Sequence, residues 1–299
     1  MPPTPTSTTP TSPIEKPDGS VPMAPMHHTL LEPAHMAGNG DIGRYVFFPG
    51  DRSRAARIAE RFYGVVTVEN PRGHTIHMGW LPGADGRRVE VMSVASGMGP
   101  GSTEVILHEL LAVGARRVLR VGSCGAMVAG VEPGGVVIVT GAVRDEATTG
   151  HYVPPGYPAV ASPDGVTALS QGAHDAGLAE VCWRGLCHTK ASLYAREFGH
   201  GPAGDENLRY KNWLSRAGVA ASDMEASVIF VMCATHRPAP LAPLSAGSDW
   251  VQGACVLAVY AGHDSDMHLD EAIVERAQAR AIEVAIAGVL AWDRQDRGR

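Results

Sequence analysis

The stretch that most constrains this chain is Arg120-Val121-Gly122-Ser123-Cys124-Gly125. It closes an apolar run containing β-branched residues, and a helix predicted over Ser102–Ala112 precedes it. Helix, turn, buried strand and Gly-rich loop in that order read as a parallel strand of an α/β sheet. Ligands of open α/β sheets bind beyond the carboxyl ends of such strands. Gly122 and Gly125 would let a ligand approach the backbone, Ser123 offers a hydroxyl, and successive N–H groups can form an anion-binding concavity. Arg120 adds a planar fork that matches phosphate. A tight turn with one solvated arginine leaves the same local trace, so the neighbouring segments decide between the two.

The 299 residues, 44% of them hydrophobic, suffice for one large α/β domain or two small ones, with a real core. The net charge of −6, with no basic segment, argues against a nucleic-acid partner. No run approaches the about 18 apolar residues of a membrane helix. The five cysteines, Cys124, Cys182, Cys187, Cys233 and Cys255, are odd in number, sit mostly in apolar surroundings and lack zinc spacing. They read as free thiols in a reducing, cytoplasmic compartment, with no metal site. Residues 1–28 are rich in Pro, Ser and Thr, lack the basic and apolar regions of a secretory leader, and read as a disordered tail. Residues 29–299 then form a single catalytic domain, with regular structure beginning near His35.

Along that domain a strand over Tyr45–Phe48 runs through Pro49-Gly50-Asp51 into a helix over Ser53–Phe62. The helix N-terminus favours an anion, and Arg52 and Arg54 in its first turn point to one nearby. Strands over 64–68, 75–80 and 89–94 read as an antiparallel excursion. Further strands are predicted over 135–140, 187–190 and 241–246, and helices over 165–176, 207–216 and 270–290. Residues 145–163 read as a loop, and residues 197–205 as a polar flap near the site. Asp223-Met224-Glu225 opens an apolar helix that ends near His236, with the two acids facing different ways. Three predicted strand ends, Gly50 with Arg54, Arg120 with Ser123, and Ser248 with Asp249, would meet at one rim of one sheet. Arginines and a hydroxyl for an anion, carboxylates for sugar hydroxyls and one carboxylate opposite suit phosphate attacking a glycosidic carbon.

Pro49-Gly50-Asp51-Arg52-Ser53-Arg54-Ala55, the Gly97-Met98-Gly99 turn leading to Arg120–Gly125, and Asp223-Met224-Glu225-Ala226 together resemble the nucleoside phosphorylase family, in the family's order. The likeness is to the bacterial hexameric purine type and its uridine phosphorylase relatives. It implies one α/β domain with a central mixed twisted sheet flanked by helices. The implied reaction is phosphorolysis of a purine nucleoside to free base and ribose 1-phosphate, with 5′-modified adenosines within reach. Inorganic phosphate is the co-substrate and no cofactor is needed. The implied assembly is a dimer-based homo-oligomer, a hexamer.

By resemblance, Gly50, Arg54, Arg120 and Ser123 hold phosphate, and Arg72 reaches the phosphate of a neighbouring subunit. His35 touches the 5′ end of a neighbour's ribose. Met98, Met224 and Glu225 contact the ribose, with Asp223 close by. Tyr194, Ser248, Gly122 and Cys124 border the base, and Asp249 protonates the purine N7. A proton on a leaving purine requires an acid whose pKa burial has raised. The family's arginine beyond that acid has no clean counterpart here, Arg276 being the nearest candidate. Asn207 and Arg209 resemble the amide and arginine with which uridine phosphorylases hold uracil. A uridine phosphorylase, a water-using nucleosidase of the adenosine-thioether type, and a non-catalytic nucleoside or phosphate sensor are the alternatives to the purine reading.

Overall fold

The computed structural model describes residues 25–236, 250–265 and 269–298. In chain order the strands are β1 Tyr45–Phe47, β2 Tyr63–Val68, β3 Ile76–Pro82, β4 Arg88–Val94, β5 Arg117–Ala126, β6 Val136–Asp145, β7 Ala159–Val160, β8 Cys182–Lys190, β9 Ala221–Asp223 and β10 Gln252–Ala261. The helices are α1 Arg52–Ala59, α2 Gly99–Ala112, α3 Pro163–Asp175, α4 Leu193–Phe198, α5 Gly204–Arg216, α6 Ala226–His236 and α7 Glu271–Arg297.

The strands form one mixed sheet, and part of it closes on itself. The path runs β10-β6-β8-β9-β5-β1-β4-β3-β2, and β10 also pairs with β5. Strands β5, β10, β6, β8 and β9 therefore make a ring, while β2, β3 and β4 form the antiparallel excursion expected from the turn residues between them. Strand β5 lies parallel to β1 and to β10, so these three point their carboxyl ends the same way.

Two apolar layers cover the sheet. Ile106, Leu107 and Leu110 of α2 meet Val228, Ile229 and Phe230 of α6 in one layer. Ile58 of α1, Leu169 of α3 and Ile282, Val289 and Trp292 of α7 form the other. Residues 226–233 of α6 are all buried, which explains an apolar segment with no polar face. Helices α3 and α7 cross backbone to backbone: a Cβ on Gly172 would stand 2.3 Å from the nitrogen of Gly288. The chain joins this body before His35. The backbone N–H groups of His28 and Thr29 both donate to the Glu109 carboxylate of α2, at 2.9 and 2.8 Å.

The strand expected over 241–246 lies outside the described residues. Two other assignments differ from the sequence reading. Strand β10, for which the sequence reading predicted no strand, spans ten residues of the ring. Residues 252–259 of β10 are all buried, so both faces are covered and no alternation marks it. Its small residues, Gly253, Ala254 and Ala258, also lack the β-branched signature. The Arg120–Gly125 stretch is no loop. It runs inside β5, paired with β10 from Arg117 as far as Gly125.

Candidate active site

After β1 the chain turns at Pro49-Gly50, and Asp51 caps α1 by accepting the N–H of Arg54 at 2.8 Å. That cap sets the first turn so that Arg54 folds inward and is buried. Its Nη1 donates to the carbonyl of Val121 at 3.1 Å, and its Nη2 to the hydroxyl of Tyr260 at 2.7 Å. Nη2 also faces Asp51 Oδ2 at 3.4 Å. Its Nε is buried without a partner. Burial pushes the Tyr260 phenol above its ordinary pKa, against the pull of Arg54, so the hydroxyl stays protonated.

Arg120 stands next to it on β5, and only 3% of it is exposed. Its Nε donates to Asp223 Oδ2 at 2.9 Å, and its Nη2 meets Glu225 Oε2 at 2.5 Å. Its Nη1 is buried with no partner. Gly122 makes room for this fork: a Cβ there would lie 2.6 Å from Arg120 Nη2. Burial works against the Arg120 charge, yet Glu225 and Asp223 hold its pKa above the usual arginine value.

The two carboxylates are tied from several sides. Glu225 Oε1 accepts the N–H of Gly99, at the start of α2, at 2.7 Å. Asp223 Oδ1 accepts from Thr189 Oγ1 at 2.8 Å, and Oδ2 accepts the N–H of Ala226 at 3.0 Å, which starts α6. Burial raises the Glu225 pKa, with Arg120 opposing and Asp223 reinforcing the rise. Where the sequence reading had the two acids facing apart, both converge on Arg120, because β9 ends at Asp223 and the helix begins only at Ala226.

A third group lies beyond Glu225. Lys190 ends β8 fully buried, and its Nζ donates to Ser222 Oγ at 2.6 Å and to the carbonyl of Asp223 at 3.3 Å. It also meets Glu197 Oε2 of α4 at 2.9 Å, while Lys211 Nζ of α5 meets Glu197 Oε1 at 2.6 Å. Burial alone would raise the Glu197 pKa, but Lys190, Lys211 and Ser222 pull it down to about 2, so it is a carboxylate throughout the physiological range.

These groups line one cavity of about 340 Å³. Gly50, Arg54, Ser123, Met98, Met224 and Phe198 line it too, and the polar contacts run in order from Arg120 through Glu225 and Asp223 to Lys190, then to Glu197 and Lys211. The order follows from the sheet: Ser222, the partner of Lys190, pairs with Gly125, five residues along β5 from Arg120. Cys124 also lines the cavity, and burial pushes its thiol pKa up, which keeps it neutral.

Other expected contributors stand elsewhere. Gly122 is spacing for Arg120 and does not line the cavity. Tyr194 is 56% exposed and packs near His200, while its neighbour Leu193 and Phe198 face the cavity in its place. His35, in a short helical turn, and the exposed Arg72 lie outside the cavity of their own chain. Asn207 accepts from Arg196 at 2.7 Å, Arg209 is exposed, and Arg276 packs at Gly134, so none of the three reaches the cavity. Ser248 and Asp249 lie outside the described residues. Their neighbour Trp250 accepts a hydrogen bond from Arg117 at 3.0 Å, at the entrance of β10 opposite to the cavity. The strand that ends at the rim is β10 itself, which brings Tyr260, Ala261 and Gly262 to the cavity.

Residues 44–290 match the family model described as the phosphorylase superfamily. The chain belongs to the nucleoside phosphorylase family. A guanosine phosphorylase of Halorubrum lacusprofundi is 30% identical over 90% of this chain and 100% of its own length. A uridine phosphorylase of Treponema pallidum is 33% identical over 66% of this chain and 74% of its own. A uridine phosphorylase of Haemophilus influenzae is 28% identical over 90% of this chain and 99% of its own. The crystal structure of a uridine phosphorylase from Vibrio fischeri shares the fold, with a TM-score of 0.70 at 22% identity over 91% of this chain and 98% of that one. Lys190, Glu197, Lys211 and Tyr260 are the functional candidates of this phosphorylase that sequence reasoning missed. The signal for one of them was available: Lys190 is a lone cation at the carboxyl end of a strand.

Proposed function

We propose that this phosphorylase cleaves the N-glycosidic bond of a nucleoside with inorganic phosphate, releasing the base and ribose 1-phosphate. The observation that carries this reading is the pair of buried arginine N–H groups, Arg54 Nε and Arg120 Nη1, that have no partner among the described residues, on two side chains that line one cavity with Ser123. Buried N–H donors are almost always paired, so two orphans on adjacent cations fit an anion. The Glu225 carboxylate beside them suits ribose hydroxyls, and a phosphate dianion below the sugar would stabilise a cation-like ribosyl transition state.

Uridine is the leading substrate. Most of the similar relatives are named uridine phosphorylases, with one guanosine phosphorylase among them. The purine preference expected from Ser248 and Asp249 rests on residues outside the described ones. Assay of base release from uridine, inosine, guanosine and adenosine, with and without phosphate, tests the proposal. Phosphate-dependent release is the expected result; equal release in water would make the protein a hydrolase, and binding without release a sensor.

A further inference from the structure

The far end of that run of polar contacts carries a charge arrangement that phosphate and ribose do not use. Lys190 spends its three N–H groups on Ser222, the Asp223 carbonyl and Glu197. Lys211 uses two, on Glu197 Oε1 and on the backbone carbonyl of Glu197 at 3.4 Å. One N–H of Lys211 remains, and the cluster Lys190–Glu197–Lys211 carries a net positive charge. Leu193, Phe198 and Ala126 surround it, and apolar walls strengthen such a field. Helix α4 is pinned in this position: Arg196 clamps Asp145 at 2.5 and 2.8 Å, and His188 holds the same carboxylate at 2.7 Å.

We propose that Lys211 is the leaving-group catalyst and Glu197 the base reader of this enzyme, selecting bases with an N–H beside a carbonyl. That edge is shared by uracil and the 6-oxopurines; adenine presents an amino group beside a bare nitrogen. Glu197 Oε2 accepts from both Lys190 and Ser222 Oγ, the latter at 2.7 Å, so the carboxylate accepts the ring N–H through the one lone pair left open, on Oε1, and the spare Lys211 N–H donates to the adjacent carbonyl oxygen. As a phosphate oxygen bonds to C1′, the C1′–N pair departs with the base and spreads onto that oxygen, where Lys211 meets the growing charge. Hydrogenphosphate brings the proton that the freed base finally carries. A cation at the carbonyl thus replaces an acid at the ring nitrogen. The inference rests on the phosphorolysis reading above.

The test compares the intact protein with Lys211→Met and Lys211→Arg on uridine, 5-fluorouridine, inosine and adenosine at saturating phosphate. Wild type should prefer uridine or inosine to adenosine, and whichever of the two is faster identifies the source of the shared edge. Lys211→Met should lower kcat on uridine by about 10²-fold, the usual effect of removing one donor to a developing oxyanion. The loss should shrink on 5-fluorouridine, whose base is the more stable anion, while the KM for phosphate stays unchanged. Lys211→Arg, which keeps charge and donors, should recover most of the rate. Equal losses on uridine and 5-fluorouridine, equal losses in the two variants, or a preference for adenosine would each overturn the inference and leave phosphorolysis standing. No phosphate-dependent release from any nucleoside would overturn both.

Discussion

Nε of Arg120 donates to Oδ2 of Asp223 at 2.9 Å across 103 residues of chain. The same guanidinium meets Glu225 on its other arm, and its remaining Nη1 is buried with no partner among the described residues. One buried cation therefore joins the two acids proposed for the sugar to the residues proposed for phosphate. Breaking a buried charge cluster of this kind by removing one member typically costs about 3–5 kcal/mol, so the cluster serves the fold as well as the chemistry.

Glu225→Gln should lower kcat/KM for ribonucleosides by about 2 kcal/mol in transition-state binding, since a charged acceptor becomes a neutral amide. The KM for phosphate should rise as well, because Arg120 loses an anchor. Steady-state kinetics on uridine and 2′-deoxyuridine check this; the deoxy substrate should lose less. Identical losses would mean that Glu225 does not address the 2′-hydroxyl.

Gly122→Ala places a methyl group 2.6 Å from Arg120 Nη2 and 2.7 Å from Leu257 Cδ2. Overpacking of this kind costs about 1–3 kcal/mol. The guanidinium is the softer neighbour, so the variant should raise the KM for phosphate more than the KM for nucleoside. A lowered denaturation midpoint with phosphate binding intact would reduce Gly122 to packing alone.

Acid should weaken the fold through Glu197. Its folded pKa of about 2 lies below the ordinary 4.5, so its stabilisation is fully present above pH 4.5 and is lost as the pH falls toward 2. By linkage the contribution is about 3 kcal/mol. Urea unfolding of wild type and Glu197→Gln between pH 6 and pH 2.5 should show a stability gap that closes as pH falls. A gap independent of pH would mean that the carboxylate charge contributes nothing.

His35 and Arg72 stand outside the cavity of their own chain, so their expected roles need a neighbour. Arg72→Ala should raise the KM for phosphate while light scattering still reports a closed oligomer, in which each interface contact recurs by symmetry. A fully active monomer would remove both residues from the site.

The acid role that resemblance implies for Asp249 predicts that Asp249→Ala costs about 10²–10⁴-fold on inosine. The loss should shrink on 7-methylinosine, whose base already carries the positive charge that protonation supplies. Equal losses on the two substrates would remove the acid role.

Much of this was legible in the residues alone. Turn residues marked β2, β3 and β4, amphipathic spacing marked α7, and the Pro49–Ala55 and Asp223–Ala226 motifs located Gly50, Arg54 and Glu225, because each depends on local periodicity or a short contiguous pattern. Arg120 and Ser123 were found for the same reason, though as part of a loop. Tertiary structure alone decided the rest. Strand β10 has no alternation because the closed ring buries both its faces. Gly122 acquires its purpose only when Arg120 folds back over it. Lys190, Glu197 and Lys211 come from one strand and two helices, and their charges become informative only where burial removes the water that would otherwise screen them.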